Sequence, residues 1–232
     1  MARDIQTLVD SYYQHYYQKI HSNLEDNRRF SFHFQLESAY SGLEHFPIVL
    51  ELGAGNLVHP KFIKHTFEIY LLTDIRVIQD GTTLEVEPGI IPQQPGVYKS
   101  MADARRLGYL DNSVNRILTG CLLLHLDDPV SVLDEWLRVL NLGGVIDTVI
   151  PNDQSLPVHL YRLLYSRRKS KKLGFMDFDL VNAFEHHSYY ERIYRLVIAA
   201  FPSQQLEFQH YPPLIGRVKL LRAYSILRLK KF

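Results

Sequence analysis

A short apolar run that ends at two closely spaced glycines is the feature of this sequence best suited to bind a ligand. Residues 48–52 are apolar except for Glu51, and Gly53, Ala54 and Gly55 follow directly. Such a run is typical of a parallel strand that is buried on both faces. Glycine allows a sharp turn and leaves room beside the backbone because it has no Cβ atom. The turn therefore predicts a site for a nucleotide-like molecule, with the N-terminus of a following helix directed at it.

An acidic residue lies at the distance from this turn that a ribose-binding site requires. Asp74 follows Gly53 by 21 residues and ends the second predicted strand. A carboxylate about 20 residues beyond the turn is placed to accept hydrogen bonds from both ribose hydroxyls. The alternative is an aspartate that only closes a turn. Dinucleotide-binding turns have a third glycine where Val58 stands here, so a pyrophosphate is poorly supported. A nucleoside ligand without phosphate fits better, and S-adenosylmethionine is the common one.

Two groups of residues could remove a proton from a substrate. His125 follows the fourth predicted strand, and ligands of such sheets lie outside the carboxyl ends of the strands. Glu185, His186 and His187 form the second group, in a segment expected to cover the pocket. The alternatives are a histidine that caps a turn or packs under the cofactor, and a polar helix face. Cys121, the only cysteine, could be a nucleophile, but a small buried apolar role fits it better. No His/carboxylate spacing indicates a metal site.

These side chains need a sheet whose strands end at one edge, and the apolar runs predict one. Strands alternate with helices along the chain, which indicates a mostly parallel sheet with helices on both faces. The seven strands are predicted near 48–52, 68–72, 97–101, 116–119, 145–150, 205–211 and 222–230. The fold class is therefore α/β, a Rossmann-like, seven-stranded, mostly parallel sheet with an N-terminal helical cap.

The helices between the strands carry start and stop signals. Asp128 is the expected N-cap of one helix and Pro129 its first residue, while Gly143 and Gly144 are a stop signal. Residues 76–96 contain three prolines and three glycines, so we expect an irregular loop with at most a short helix. The predicted helices span about 58–66, 130–140, 155–166 and 179–200.

No composition shift or repeat divides the chain into independent units. We expect residues 1–46 to form a helical cap and residues 47–232 to form the ligand-binding domain, with a lid-like insert at about 152–190. The cap contains four tyrosines within residues 12–17. Their rings are suited to pack on the core while their hydroxyls remain in contact with solvent, or to form a lid over a ligand. The two roles are compatible.

The order of these features resembles the class I S-adenosylmethionine-dependent methyltransferases, in the broad subgroup of small-molecule enzymes. The resemblance covers roughly residues 48–151. It implies that Glu51, Gly53, Ala54 and Gly55 contact the methionine portion of the cofactor. The remaining predicted cofactor contacts are Asp74 and Ile75 after the second strand, Asp103 and Ala104 after the third, and Cys121. The further segments that carry the resemblance are Leu107–Ser113, Leu123–Pro129, Glu135–Leu140 and Gly143-Gly144.

The chain also departs from that family's pattern. Leu57 stands where the family often has another glycine, which alters how the first turn meets the methionine carboxylate. Asn115 and Arg116 replace an aromatic-aspartate pair, so the surface contact of that pair is not expected here. Further along, the stretches 171–175 and 182–186 resemble bacterial members of surface-polysaccharide and glycan gene clusters, which is a hint about substrate class.

Composition restricts the partners. The formal charge is +1, from 26 basic and 25 acidic residues, so there is no global case for binding nucleic acid. No signal-peptide pattern or membrane-spanning apolar run is present, and we expect a cytoplasmic monomer or homodimer. Five of the six residues in Arg167–Lys172 are basic. This run suits a solvated helix end, an acidic or phosphorylated substrate, or the inner membrane surface if the acceptor is lipid-linked.

The sequence predicts an S-adenosylmethionine-dependent methyltransferase that acts on a small molecule or a glycan precursor, most simply at oxygen. The alternative is a non-catalytic binding or scaffold protein on the same fold, because fold does not determine function. Intact Gly53, Gly55 and Asp74 argue against an inactive site. A third interpretation, a nicotinamide-dependent oxidoreductase, is disfavoured by Val58.

Overall fold

The strands assemble into one sheet in a computed structural model that describes residues 4–17, 19–20, 31–55, 57–76, 81–201 and 205–232. The eight strands are β1 Ile48–Leu52, β2 Ile69–Asp74, β3 Leu84–Glu85, β4 Gly96–Met101, β5 Val114–Gly120, β6 Leu140–Pro151, β7 Gln205–Tyr211 and β8 Tyr224–Lys230. Their order in the sheet is β3-β4-β2-β1-β5-β6-β8-β7. Strands β1 to β6 are parallel to one another, whereas β8 is antiparallel to both β6 and β7. The predicted mostly parallel α/β fold is confirmed, with β3 as one more strand than expected.

The strand order reverses at β1, and this creates the crevice in which such folds bind ligands. Leu50 in β1 lies opposite Leu71 in β2 on one side and Ile117 in β5 on the other. The parallel strands β1, β2, β4, β5 and β6 therefore all end at the same edge of the sheet, hereafter the carboxyl edge. Ligands of open α/β sheets bind outside this edge, where neighbouring loops diverge.

One face of the sheet is an apolar core under two helices, Pro129–Val139 and Tyr190–Ala200. The first begins as predicted, because the Asp128 carboxylate accepts hydrogen bonds from the backbone N–H groups of Val130 and Ser131. Its Trp136 is fully buried, and the indole Nε1 donates to the Ala104 carbonyl at 2.8 Å. This helix therefore anchors the loop after β4, which belongs to the carboxyl edge.

The opposite face is covered by N-terminal segments and contains charged side chains. The helix Phe32–Glu37 and the chain that follows it pack over β1, β5 and β6. Glu37, Arg116 and Asp147 all lie at this contact with no exposed surface. The helix Ile5–His15 packs elsewhere, against the aromatic residues of the 175–181 segment, and Tyr12 is buried there. Packing by the tyrosine-rich segment is thus confirmed for Tyr12, while the division at residue 46 remains a prediction.

Two local predictions around glycines are wrong. The helix expected at 58–66 is only a 3-10 turn, His59–Phe62. The backbone of the next residue, Ile63, is already extended. The β-branched Val58 and Ile63 flank this turn and disfavour a longer helix. The helix expected to run to Leu140 instead ends at Val139, and β6 begins at once and includes Gly143-Gly144. Pairing of Leu140 with Val114 replaces the expected glycine-capped end.

The C-terminal helices also differ from their predicted bounds. The helix expected at 155–166 continues through Leu156–Tyr161, a π turn at Arg162–Ser166 and Arg167–Lys172, so the basic run is helical. The helix expected at 179–200 is two helices, Phe178–Glu185 and Tyr190–Ala200. The break lies at His186–Ser188, where the Ser188 N–H donates to the Leu124 carbonyl rather than within a helix. This break directs His186 toward the carboxyl edge.

Candidate active site at the carboxyl edge of the sheet

The turn after β1 has the left-handed backbone that its glycines predict. The φ angles of Gly53 and Gly55 are +70° and +50°. Leu57 also has a positive φ angle of 57°, a conformation that a branched side chain rarely adopts. The Ala54 N–H donates to the Thr73 carbonyl at 2.9 Å, and the Thr73 hydroxyl donates to the Glu51 carbonyl at 2.7 Å. The ends of β1 and β2 are therefore held together at the carboxyl edge.

Asp74 lies beside this turn and organises it. One carboxylate oxygen accepts a hydrogen bond from the Gly55 N–H at 3.0 Å, and the other accepts one from the Arg76 N–H at 2.9 Å. A carboxylate has about four lone-pair sites, so both oxygens keep capacity for a further donor. The next side chain, Ile75, is 55% exposed. The end of β2 thus combines a half-buried acceptor with an open apolar surface, which fits the hydroxyls and the base of a nucleoside.

The residues after β4 form the second predicted contact, and one of them is already paired. The Asp103 carboxylate holds the Arg105 guanidinium through contacts of 2.7 to 3.1 Å, and these hydrogen bonds lower the pKa of Asp103. Ala104 packs against the apolar core, and its carbonyl accepts the Trp136 hydrogen bond. The apolar contact is in place, whereas a ligand amine must share the Asp103 carboxylate with Arg105.

Two other predicted cofactor residues take less direct positions. The Glu51 side chain is only 4% exposed, and the Tyr70 hydroxyl donates to it at 2.8 Å. Burial raises the pKa of the Glu51 carboxyl. Its carboxylate therefore lies beneath the glycine turn, among the charged groups of the covered face. Cys121 begins the loop after β5 with a φ angle of +63° and packs against buried residues of the covered face.

The two groups of candidate bases meet in one cluster. His125 lies in the 3-10 turn Leu122–His125 after β5, and its Nδ1 is 3.8 Å from a Glu185 carboxylate oxygen. The rings of His125 and His186 are in edge contact, with centroids 5.0 Å apart. Burial, with the neighbouring His186, lowers the pKa of His125 to about 4. His125 is therefore a neutral imidazole at physiological pH.

His186 is oriented by a carboxylate that the sequence analysis did not identify. Its Nδ1 forms a short hydrogen bond with Asp153, and Arg162 contacts the same carboxylate oxygen at 2.9 Å. Burial acts to raise the pKa of Asp153, but His186 and Arg162 outweigh it and lower that pKa. Because a carboxylate only accepts, His186 Nδ1 is the donor and a neutral His186 keeps a free lone pair on Nε2. The position of Asp153 just after β6 is the signal that could have identified it.

Arg76 joins this cluster to the end of β2. It lies two residues after Asp74, and its guanidinium is 3.6 Å from Glu185. The same guanidinium stacks on the Tyr13 ring at 3.9 Å. Tyr13 is a partner of Glu185, and burial together with this contact raises the pKa of Tyr13. The histidine cluster, which comprises His125, Asp153, Glu185 and His186, therefore adjoins the predicted cofactor edge.

The remaining candidate groups lie outside this arrangement. His187 pairs with Asp127 at 3.0 Å at a more exposed position. Within the described ranges, no three His, Cys, Asp or Glu side chains are grouped closely enough to hold a metal ion. None of the helices described is long and apolar enough to cross a bilayer.

Comparisons with known proteins agree with this geometry. Residues 50–146 match the model of a methyltransferase domain family. No curated protein matches the chain. An S-adenosylmethionine-dependent methyltransferase structure from Thermotoga maritima has 18% identity and a TM-score of 0.56, with 97% of this chain and 99% of that chain covered.

Two further solved structures share the fold. The N-methyltransferase NodS from Bradyrhizobium japonicum, solved with S-adenosyl-L-homocysteine, has 12% identity and a TM-score of 0.61, covering 97% and 98% of the two chains. A methyltransferase from Mesorhizobium loti has 12% identity and a TM-score of 0.53, covering 90% and 100%. Residues 50–146 thus match a methyltransferase domain family, and the chain has the fold of S-adenosylmethionine-dependent methyltransferases.

Proposed function

We propose that this protein transfers a methyl group from S-adenosylmethionine to a hydroxyl oxygen of a small molecule or glycan precursor. The observation that carries the proposal is the histidine cluster beside the cofactor edge, with Asp153 orienting His186 and Arg76 joining the cluster to Asp74. The methyltransferase domain match and the solved complex of NodS with S-adenosyl-L-homocysteine support the cofactor. A glycan acceptor is supported only by the resemblance of the 171–175 and 182–186 stretches.

The residues at the carboxyl edge fit this cofactor by their chemistry. Asp74 keeps acceptor capacity for ribose hydroxyls, and Ile75 with Ala104 offers apolar surface for a base. The left-handed turn at Gly53 and Gly55 leaves the backbone open beside the cofactor's amino-acid portion. When bound, S-adenosylmethionine supplies an electrophilic methyl carbon on a positively charged sulfur and leaves as S-adenosylhomocysteine.

The protein's own contribution is alignment of the acceptor and removal of its proton. Alignment of reacting groups can lower a barrier by about 7–11 kcal/mol at best. We assign the proton to Nε2 of His186, because Asp153 holds Nδ1–H as the donor and leaves Nε2 as the acceptor. As the new O–C bond forms, the hydroxyl proton moves to Nε2. The neutral His125 and the Glu185 carboxylate flank the acceptor position.

Calorimetric titration with S-adenosylhomocysteine tests the cofactor, with NAD as the control. We expect micromolar binding of S-adenosylhomocysteine and none of NAD. A protein that binds should then be screened for methyl transfer with nucleotide sugars and glycans as first acceptors. Failure to bind S-adenosylhomocysteine, alone or with acceptor, would contradict the proposal and favour a non-catalytic scaffold on the same fold.

A further inference from the structure

The helical segment 156–172 turns its leucines outward and its serines inward. Leu156, Leu160, Leu163 and Leu164 lie on its outer side and are between 42% and 54% exposed. On its inner side, Ser166 and Ser170 are buried. A surface helix ordinarily places its apolar side chains against the core. This reversed arrangement indicates that something other than the protein's own core covers the leucines.

A second exposed apolar segment lies next to this helix. Leu214, Ile215, Val218 and Leu220 are between 53% and 79% exposed. The turn Lys219–Leu221 contacts the helix Leu156–Tyr161, and Asn152 Nδ2 donates to the Lys219 carbonyl at 3.2 Å. We call the outer leucines of 156–164 and the exposed residues of 214–220 the apolar face. Exposed apolar patches of this extent mark interaction sites.

Positive charge accompanies the apolar face, although the whole chain is nearly neutral. Residues 154–176 include six Lys or Arg and no Asp or Glu, and two of the six, Arg162 and Arg167, pair with Asp153 and Asp179. Among the described residues, Arg168, Lys171 and Lys172 have no carboxylate partner, and they continue the leucine side of the helix. Arg217 and Lys219 alternate with the apolar residues of the second segment, and Lys219 also contacts Glu191 at 2.9 Å. The partner of this surface is therefore both apolar and negatively charged.

We propose that the apolar face and its flanking cations dock the protein on an anionic membrane surface. Leucine beside Lys and Arg on one helix is the pattern of helices that lie in the membrane interface. Anionic headgroups attract the cations, and the outer acyl region accepts the leucines. A nucleic acid would match the positive charge, but its phosphate backbone would leave the exposed leucines in contact with water. It therefore fits the charge and not the apolar surface. This inference is independent of the proposed methyl transfer.

Docking would bring the candidate active site to the bilayer. Arg162 belongs to the same helical segment, and its guanidinium holds Asp153, which orients His186. The segment therefore has the membrane-facing leucines on one side and a partner of the histidine cluster on another. An acceptor carried on a lipid would then lie near the cluster, and this consequence alone rests on the proposed function.

Vesicle flotation of the full chain tests the docking. We expect binding to vesicles of phosphatidylglycerol and phosphatidylcholine in equal parts, weak binding to phosphatidylcholine alone, and release by high salt. The triple variant R168Q/K171Q/K172Q should bind roughly a hundredfold more weakly, since each cation contributes about one kcal/mol near an anionic surface. A double variant, L160Q/L163Q, should also lose binding.

Matched controls separate docking from general effects of charge or stability. Lys61→Gln and Leu142→Gln remove an exposed cation and an exposed leucine outside the apolar face, and both should float as the unchanged protein does. Circular dichroism checks that each variant is folded. Absence of binding to the anionic vesicles, or binding by the triple and double variants as strong as that of the unchanged protein, would overturn the proposal. Self-association abolished by L160Q/L163Q, without vesicle binding, would also overturn it and assign the face to a second copy of the chain.

Discussion

Two clusters of charged side chains and histidines in this protein contain the same residue types but have different roles. The buried network lies on the covered face of the sheet and comprises Glu37, Arg116, Asp147 and Arg228. Arg116 contacts Glu37 at 2.6 Å and Asp147 at 2.9 Å, and Arg228 contacts the other Asp147 oxygen at 2.7 Å. The histidine cluster lies at the carboxyl edge, where its members are partly exposed.

The clusters differ in whether their acceptor atoms already hold donors. In the buried network, the two Glu37 oxygens also accept from His59 and the Lys64 N–H, and Tyr40 donates to Asp147 while its ring covers the Arg116 guanidinium. The carboxylates there have little capacity left for a ligand. At the carboxyl edge, Asp74 and His186 keep acceptor capacity toward solvent. Buried carboxylates whose oxygens are all paired indicate structure, whereas acceptors left open at a strand edge indicate binding and chemistry.

The largest expected effect comes from breaking the buried network. Arg116→Leu leaves the buried Glu37 without its guanidinium partner and leaves Asp147 with Arg228 alone, so the free energy of unfolding should fall by about 3–5 kcal/mol. Urea unfolding measures this loss. The control is Arg195→Ala, which removes an exposed pair with Glu191 and should cost less than about 1 kcal/mol. Equal small losses in both variants would show that the network does not stabilise the fold.

Asp74→Ala tests whether the carboxyl edge binds the cofactor. The variant loses the acceptor for ribose hydroxyls, and charged hydrogen bonds contribute about 1.5–3 kcal/mol each. We therefore expect affinity for S-adenosylhomocysteine to fall by roughly a hundredfold or more, with the ligand-dependent rise in melting temperature abolished. Thermal unfolding with and without the ligand measures both. A rise as large as in the unchanged protein would exclude Asp74 from the cofactor site.

His186→Gln separates chemistry from binding at the same edge. Loss of a general base lowers turnover by about 10²–10⁴-fold, whereas S-adenosylhomocysteine affinity should change little. The measurement is kcat with an identified acceptor, beside calorimetric titration. His187→Gln is the matched control, because His187 pairs with exposed Asp127 outside the cluster. Equal turnover in the two variants would remove His186 from the mechanism.

The pH dependence of stability should reveal the burial of His125 at the carboxyl edge. The folded pKa of His125 is about 4, below its ordinary 6.5, because burial disfavours the charged ring. The unfolded chain then binds the proton more readily, so the free energy of unfolding falls as pH drops from about 6.5 to 4. We expect this group to contribute up to about 3 kcal/mol of that loss. Urea unfolding across this range should be less pH-dependent in His125→Gln, and an unchanged slope would contradict the assignment.

Local sequence patterns were sufficient for much of the fold. The apolar run Ile48–Leu52 is a strand with the predicted bounds, and Asp128 caps its helix as expected. Gly53 and Gly55 have the positive φ angles that a glycine turn requires, and Asp74 lies beside them. The reason is that buried strands, caps and glycine turns each depend on neighbouring residues along the chain. The same order of motifs also predicted the methyltransferase fold.

Only the tertiary structure decided which distant side chains meet. His125 joins Glu185 and His186 because the chain breaks between two helices that the sequence pattern merged. From the sequence, we expected Arg116 only to remove a surface contact that the family's usual residues make. In the structure it is the centre of the buried network. Pairings between residues tens of positions apart depend on the order of strands in the sheet and on breaks between helices. The local pattern of apolar residues along the sequence does not determine either. The chemistry of each residue was therefore readable from the sequence, whereas its partner, its burial and hence its role were not.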